Sequence, residues 1–122
     1  MTITDQPVSI HNSEHYVWGE QCDGWHLLKQ PDLSVIQERV PAGGTEQKHY
    51  HSKSRQFFYV LTGRARMEFE SHAIEFGPGE AIGVVPGVVH KFTNPFDNEV
   101  VFLVISSPST SGDRVVVPEP AV

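Results

Sequence analysis

The 122-residue sequence predicts an all-β fold, a sandwich or barrel of short strands. Two observations lead to this class. Ten glycines and nine prolines punctuate the chain, and apolar, β-branched segments recur about every eight to twelve residues without helical periodicity. The longest apolar run, Val100 to Ile105, is far shorter than the ~20 residues of a membrane-spanning helix. We therefore expect one globular domain.

Turn residues delimit the predicted strands. In Arg64–Glu70, for example, apolar and charged residues alternate strictly, which predicts a strand with one exposed face. The domain is expected to span residues 1–122, with an N-terminal arm at about 1–14 and a C-terminal tail at about 107–122. The strands predicted after the arm are Leu33–Val40, Gln56–Leu61, Arg64–Glu70, Ala73–Phe76, Glu80–Val85, Val88–Thr93, Glu99–Ser106 and Arg114–Val117.

Two of these strands are apolar on both faces. In Phe57–Leu61 and Val100–Ile105 every residue is apolar, although successive side chains of a strand point in opposite directions. The outer face of a small antiparallel sheet normally meets water. We therefore expect a cover, either the N-terminal arm or a second subunit, and a homodimer is the simpler expectation.

Charge and cysteine content restrict the partners and the compartment. Nine basic and fifteen acidic residues give a net charge of −6 and a pI near 5.5, which argues against nucleic acid and anionic membranes as partners. The single cysteine, Cys22, cannot form an internal disulfide and is expected to be a buried small side chain. The N-terminus lacks the basic and apolar regions of a signal peptide, so we expect a cytoplasmic protein.

Three histidines form the strongest candidate site. His49 and His51 are spaced i, i+2, so on a strand they point to the same side. His90, after the Pro86-Gly87 turn, would add a third imidazole and leave coordination positions open for water or substrate. A pair of this spacing also arises by chance in a chain with seven histidines, so two polar residues on an exposed strand remain the alternative at this point.

The surrounding residues are similar to the two motifs of the cupin superfamily. The resemblance to the first motif lies in Gly43-(x5)-His49-Tyr50-His51-(x4)-Gln56-(x6)-Gly63. The resemblance to the second lies in the segment from Gly79 through Pro86-Gly87-(x2)-His90-(x3)-Asn94. The resemblance implies a double-stranded β-helix, or jelly-roll barrel. It also implies one divalent transition metal held by His49, His51, His90 and the motif's fourth position, Gln56. Zn, Fe, Mn, Ni and Cu all suit such ligands.

Gln56 departs from the motif, which usually has glutamate there. An amide ligand leaves the charge of the ion uncompensated, so the centre should be a stronger Lewis acid and favour anionic ligands. Two other roles remain open for Gln56, a hydrogen-bond donor behind the ligands and an inward polar residue that never touches metal.

Charged residues near the histidines are candidate substrate contacts. Lys53 and Arg55, in the loop after His51, are the favoured ones. Arg64 and Arg66 are expected on the outer face, paired with acids across the strand. Glu46 is either an acid or base near the site or a solvated turn carboxylate.

The sequence thus predicts a metal-dependent cupin enzyme that acts on a small polar, anionic molecule by isomerase, lyase or dioxygenase chemistry. The alternatives are a non-catalytic metal- or sugar-binding module and a metal-free barrel whose histidines line a pocket. In each case the partner is a small molecule, with no nucleic acid and no membrane.

Overall fold

Two antiparallel sheets form the protein in the computed structural model, which describes residues 6–119. All regular elements in this range are strands that build a double-stranded β-helix, so the predicted fold class is confirmed. No helix in this range has the length and apolar character needed to cross a membrane. The strands are β1 (Glu14–Trp18), β2 (Cys22–Lys29), β3 (Ser34–Val40), β4 (His49–His51), β5 (Arg55–Thr62), β6 (Ala65–Phe69), β7 (Ala73–Phe76), β8 (Ala81–Val84), β9 (His90–Thr93), β10 (Val100–Ser107) and β11 (Arg114–Val116).

The strand order brings distant parts of the chain side by side. One sheet has the order β1-β2-β3-β10-β5-β8 and the other β11-β4-β9-β6-β7. The last strand, β11, pairs with β4 through Arg114 opposite His51. The strand predicted at Arg114–Val117, within the segment expected as a C-terminal tail, is therefore present as β11 and lies beside the histidines.

Phenylalanines from both sheets fill the core at one end of the barrel. The rings of Phe92 on β9 and Phe102 on β10 stack with their centroids 4.1 Å apart. Phe58 contacts both rings and also lies edge-on to His90, 6.1 Å between centroids. The core therefore continues directly into the histidine cluster, so that packing of large apolar rings fixes one wall of the site.

The pattern of β6 is as expected, whereas an N-terminal hairpin was not predicted. Ala65 and Met67 are fully buried, and Arg66 lies outside within 3.8 Å of Glu75. Strands β1 and β2 form the additional hairpin and extend the first sheet beside β3. Cys22 at the start of β2 is buried, as expected.

Within residues 6–119, the outer face of the six-stranded sheet is apolar and partly exposed. Phe57 and Leu61 on β5 are 45% and 38% exposed. The β1–β2 hairpin lies beside β3 in the same sheet, so within residues 6–119 the N-terminal segment does not cover this face. The other predicted cover, a second subunit, stays a prediction.

Candidate functional site

Three buried histidines meet inside the barrel. His49 and His51 lie on β4, and His90 on β9 pairs directly with His49. One nitrogen from each ring can be chosen so that all three lie within 4.8 Å of one another. Each of these residues is at most 5% exposed. Two strands of one sheet thus bring together the three histidines that the sequence selected.

Backbone carbonyls orient the three rings. The Nδ1 atoms of His49, His51 and His90 lie 2.7, 3.2 and 2.9 Å from the carbonyl oxygens of Gln47, Asp113 and Val88. Because a carbonyl oxygen only accepts hydrogen bonds, each Nδ1 carries the proton. Each Nε2 then has a free lone pair, the form in which histidine binds a metal.

Burial keeps these imidazoles neutral. It lowers the pKa of His49 to about 3, and the positive charge of Arg114 adds to that effect. Burial also lowers the pKa values of His51 and His90, again with a contribution from Arg114. At neutral pH the cluster therefore consists of three uncharged donors.

Two loops position the ligand-bearing strands. Gly87 adopts a φ of +85°, a left-handed conformation that glycine reaches without strain, and its N–H donates to the carbonyl of His51 at 2.7 Å. The Asp113 carboxylate accepts hydrogen bonds from the backbone N–H groups of Ser52, Lys53 and Ser54 at 2.9–3.0 Å. The turn before β9 and the segment before β11 are thus both fastened to the end of β4.

Gln56 has one satisfied and one unsatisfied side-chain atom. Its Nε2 donates to Ser106 Oγ at 3.2 Å, whereas its Oε1 is buried without a hydrogen-bond partner. His90 Nε2 is buried and unpartnered as well. Buried polar atoms without partners are uncommon and require an explanation. A divalent metal fits this site, because it accepts electron pairs from an imidazole nitrogen and an amide oxygen alike.

A cavity of about 210 Å³ opens beside His49, His51 and Gln56. Its size suits a small molecule. Its other lining residues include two carboxyl groups, those of Glu38 and Glu46, one cation, Arg114, and the aromatic rings of Tyr16, Trp18 and Phe58.

Glu46 and Glu38 occupy different positions on the cavity wall. Glu46 Oε1 accepts the backbone N–H of Phe92 at 2.9 Å and lies 3.9 Å from His49 Nδ1. Burial raises its pKa to about 8. Glu38 accepts a hydrogen bond from the Tyr16 hydroxyl at 3.1 Å, and burial raises its pKa to about 7.

The cations near the cavity differ from those expected. Lys53 and Arg55 are exposed and do not line the cavity, so they are not placed to contact a ligand there. Arg114 takes that position, and the described residues give its guanidinium no ion pair or hydrogen bond. Sequence reasoning missed Arg114 because only the pairing of β11 with β4 places it opposite His51, from which 63 residues separate it along the chain.

Comparison with known proteins agrees with this fold. A family model described as "Cupin domain" matches residues 36–106. An uncharacterized protein of Methanocaldococcus jannaschii is 29% identical over 69 residues, which cover 57% of this chain and 55% of that protein. The chain thus spans about half the length of this curated relative.

Solved structures resemble the chain over most of its length. KdgF from Halomonas sp. superposes with a TM-score of 0.78 at 17% identity, covering 88% of this chain and 98% of that one. The polyketide cyclase RemF from Streptomyces resistomycificus gives 0.75 at 21% identity, with coverages of 87% and 81%. At these identities the likeness establishes the fold, whereas function must be argued from the site.

Proposed function

The chain belongs to the cupin family, and on that premise we propose that it is a metal-dependent enzyme for a small anionic substrate. His49, His51, His90 and Gln56 would hold one divalent transition metal. The observation that carries this proposal is a pair of buried, unpartnered electron-pair donors: His90 Nε2, in the cluster with His49 and His51, and Gln56 Oε1, on a residue that lines the same cavity as those two histidines. When bound, such an ion supplies Lewis-acid polarisation of a substrate oxygen.

The charge of the site supports an anionic substrate. Three neutral imidazoles and one amide would leave the charge of a divalent ion uncompensated. Arg114 adds a positive charge that is felt at His49, His51 and His90. A carboxylate beside a second oxygen, as in 2-hydroxy and 2-oxo acids, suits this combination because the guanidinium pairs with carboxylates in a bidentate geometry.

Two of the proposed reaction classes require proton movement, and the site contains groups for it. Glu38 and Tyr16 line the cavity that would hold the substrate. The polyketide cyclase RemF is an enzyme built on the same fold. These features favour isomerase or lyase chemistry over a dioxygenase reaction, and over a module that binds metal or sugar without turnover.

Cobalt-loaded protein offers a direct test with glycolate as the probe. Because the d–d absorption of Co²⁺ responds to its ligands, we expect glycolate to change the spectrum and the Arg114→Gln variant to bind glycolate about tenfold more weakly. Arg55→Gln is the matched control, since Arg55 lies outside the cavity. A spectrum that is insensitive to glycolate, or equal affinities for the two variants, would contradict an anionic substrate.

A second copy of the chain is the proposed cover of the apolar sheet face. Phe57 and Leu61 on β5 lie on this face, with Leu103 and Ile105 on the adjacent β10. Burying such a face against its own copy gives a two-fold interface, the commonest arrangement of soluble oligomers. We therefore propose a homodimer whose interface is the outer face of β5 and β10, the strands whose inner faces help to line each cavity.

A further inference from the structure

Tyr16 reaches across a neighbouring strand to bind Glu38. In the register of the sheet, Tyr16 on β1 lies opposite Gly24 on β2, and Gly24 lies opposite Glu38 on β3. The Tyr16 hydroxyl nevertheless donates to Glu38 Oε2 at 3.1 Å. The tyrosine side chain therefore passes over the intervening strand and ends on the cavity wall.

Gly24 provides the space for this crossing. A Cβ atom built on Gly24 would lie 2.2 Å from Cζ and 2.5 Å from Oη of Tyr16. Every other amino acid would push the ring away, and glycine within a strand marks such a close approach. The sheet thus contains a residue that weakens a strand but lets Tyr16 bind Glu38.

Glu38 is the carboxyl group that remains available to a ligand. Glu46 is already bonded to the backbone of Phe92 beside His49. Glu38 Oε2 takes the Tyr16 hydrogen bond, and no hydrogen bond to Glu38 Oε1 occurs within residues 6–119. Because Glu38 lines the same cavity as His49 and His51, this free oxygen can face a ligand held there.

We propose that Glu38, held in place by Tyr16, is the catalytic residue that moves a proton on the substrate. The inference rests on the proposed function and specifies its reaction as proton transfer next to a carbonyl group. Glu38 takes a proton from that carbon, the C–H electron pair forms the carbon–carbon double bond of an enolate, and the carbonyl π pair moves to oxygen. Return of a proton from Glu38 to the same carbon, on either face, re-forms the carbonyl group as the oxygen electron pair moves back, and it regenerates the carboxylate.

The surroundings of Glu38 suit a group that both takes and gives a proton near neutral pH. Burial raises its pKa to about 7, against the hydrogen bond from Tyr16 and the positive charge of Arg114. Two other titratable groups interact electrostatically with the Glu38 carboxylate, Cys22 on β2 and Glu46 before β4. On the other side of Glu38, its β10 neighbour is Phe102, which does not titrate.

The first test follows the carboxyl group itself, in metal-free protein labelled with ¹³C at the glutamate carboxyl carbons. The resonance that is absent from the spectrum of Glu38→Gln belongs to Glu38. We expect the chemical shift of this resonance to titrate with a midpoint near pH 7. Tyr16→Phe and Gly24→Ala should both move that midpoint to higher pH, because each removes the hydrogen bond that stabilises the carboxylate. Tyr59→Phe, on the outer sheet face, should leave it unchanged. A midpoint near 4.5, or one unmoved by Tyr16→Phe, overturns the assignment.

The second test measures exchange of the pyruvate methyl protons in D₂O by cobalt-loaded protein. Glu38→Gln should slow this exchange about 100-fold or more, with cobalt content and pyruvate affinity unchanged. Glu14→Gln, which alters only a surface ion pair with Lys29, should exchange like the wild type. If pyruvate binds but its methyl protons exchange equally fast with Glu38→Gln, or do not exchange with the wild type, the role of Glu38 is wrong and the proposed function still stands. If pyruvate and glycolate leave the cobalt spectrum unchanged, the proposed function fails and this inference fails with it.

Discussion

Asp113 bonds to His51 and to the three residues that follow it, although 62 residues separate Asp113 from His51. The Asp113 carbonyl lies 3.2 Å from His51 Nδ1, and its carboxylate binds the three backbone N–H groups that follow His51. The segment before β11 thus orients one imidazole and fixes the loop behind it. The same segment brings Arg114 to the cavity.

Asp113→Ala should therefore weaken metal binding while the fold persists. The variant leaves three backbone donors without their carboxylate and frees the carbonyl that orients His51. Partners behind metal ligands typically account for about 10- to 100-fold in affinity, and we expect a loss in this range for Zn²⁺ in a competition titration. Asp97→Ala, in an exposed turn, is the control. Equal affinities for the two variants would show that the segment does not support the site.

Gln56→Glu should retain the metal at least as well as the wild type. A carboxylate in place of the amide oxygen adds a negative ligand to a positive ion, so it strengthens the site and weakens glycolate binding. Gln37→Glu, on the outer face of β3, makes the same charge change away from the site. Metal analysis after gel filtration measures retention, and expulsion of the metal by Gln56→Glu would refute a ligand role for this position.

Glu38→Gln should stabilise the metal-free protein at pH 8 but hardly at pH 4. Burial raises the pKa of Glu38 from 4.5 to about 7 in the folded state, so the folded state favours the protonated form. That contribution to stability is complete below pH 4.5 and is lost as the pH rises through 7. A neutral amide does not lose it, and we expect a gain of up to about 3 kcal/mol in the free energy of unfolding at pH 8. A gain of equal size at both pH values would argue against the raised pKa.

Phe57→Lys should convert a dimer into a monomer. The change places a charge in the centre of the apolar sheet face, where a second copy would have to desolvate it. Ile74→Lys is the matched control, because Ile74 is 40% exposed but lies on β7 in the other sheet. Sedimentation velocity distinguishes the outcomes, and a wild-type protein that is monomeric at 50–100 µM (roughly the upper range for a weak dimer) contradicts the proposed interface.

Local patterns predicted most of the strands and the three histidines. In β6 the alternation of Ala65 and Met67 with charged residues identified the buried face, and the spacing of His49 and His51 placed both imidazoles on one side of β4. Strand β2, the second strand of the N-terminal hairpin, shows no such alternation. Its central residue is Gly24, where the Tyr16 side chain passes over the strand and leaves no space for an apolar side chain. Its turn also contains a non-glycine residue with positive φ, Gln21 at +62°.

The rest of the site depends on pairing between distant strands, which sequence patterns do not contain. Arg114 reaches the cavity only because β11 pairs with β4. Tyr16 reaches Glu38 only because β1, β2 and β3 are adjacent in the sheet. The local positive charge of Lys53 and Arg55 suggested the wrong cations, since Lys53 lies in an exposed loop after β4 and Arg55 begins β5 on the face opposite to the cavity-lining Gln56.

Metal content of the purified protein tests the central claim most directly. Elemental analysis of wild type, His49→Ala and His11→Ala, each grown in metal-supplemented medium and freed of loosely bound ions, compares the proposed ligand with an exposed histidine. We predict close to one divalent transition-metal ion per chain in wild type and His11→Ala, and almost none in His49→Ala. Equal metal content in all three proteins, or none in the wild type, would contradict a metal centre formed by these histidines.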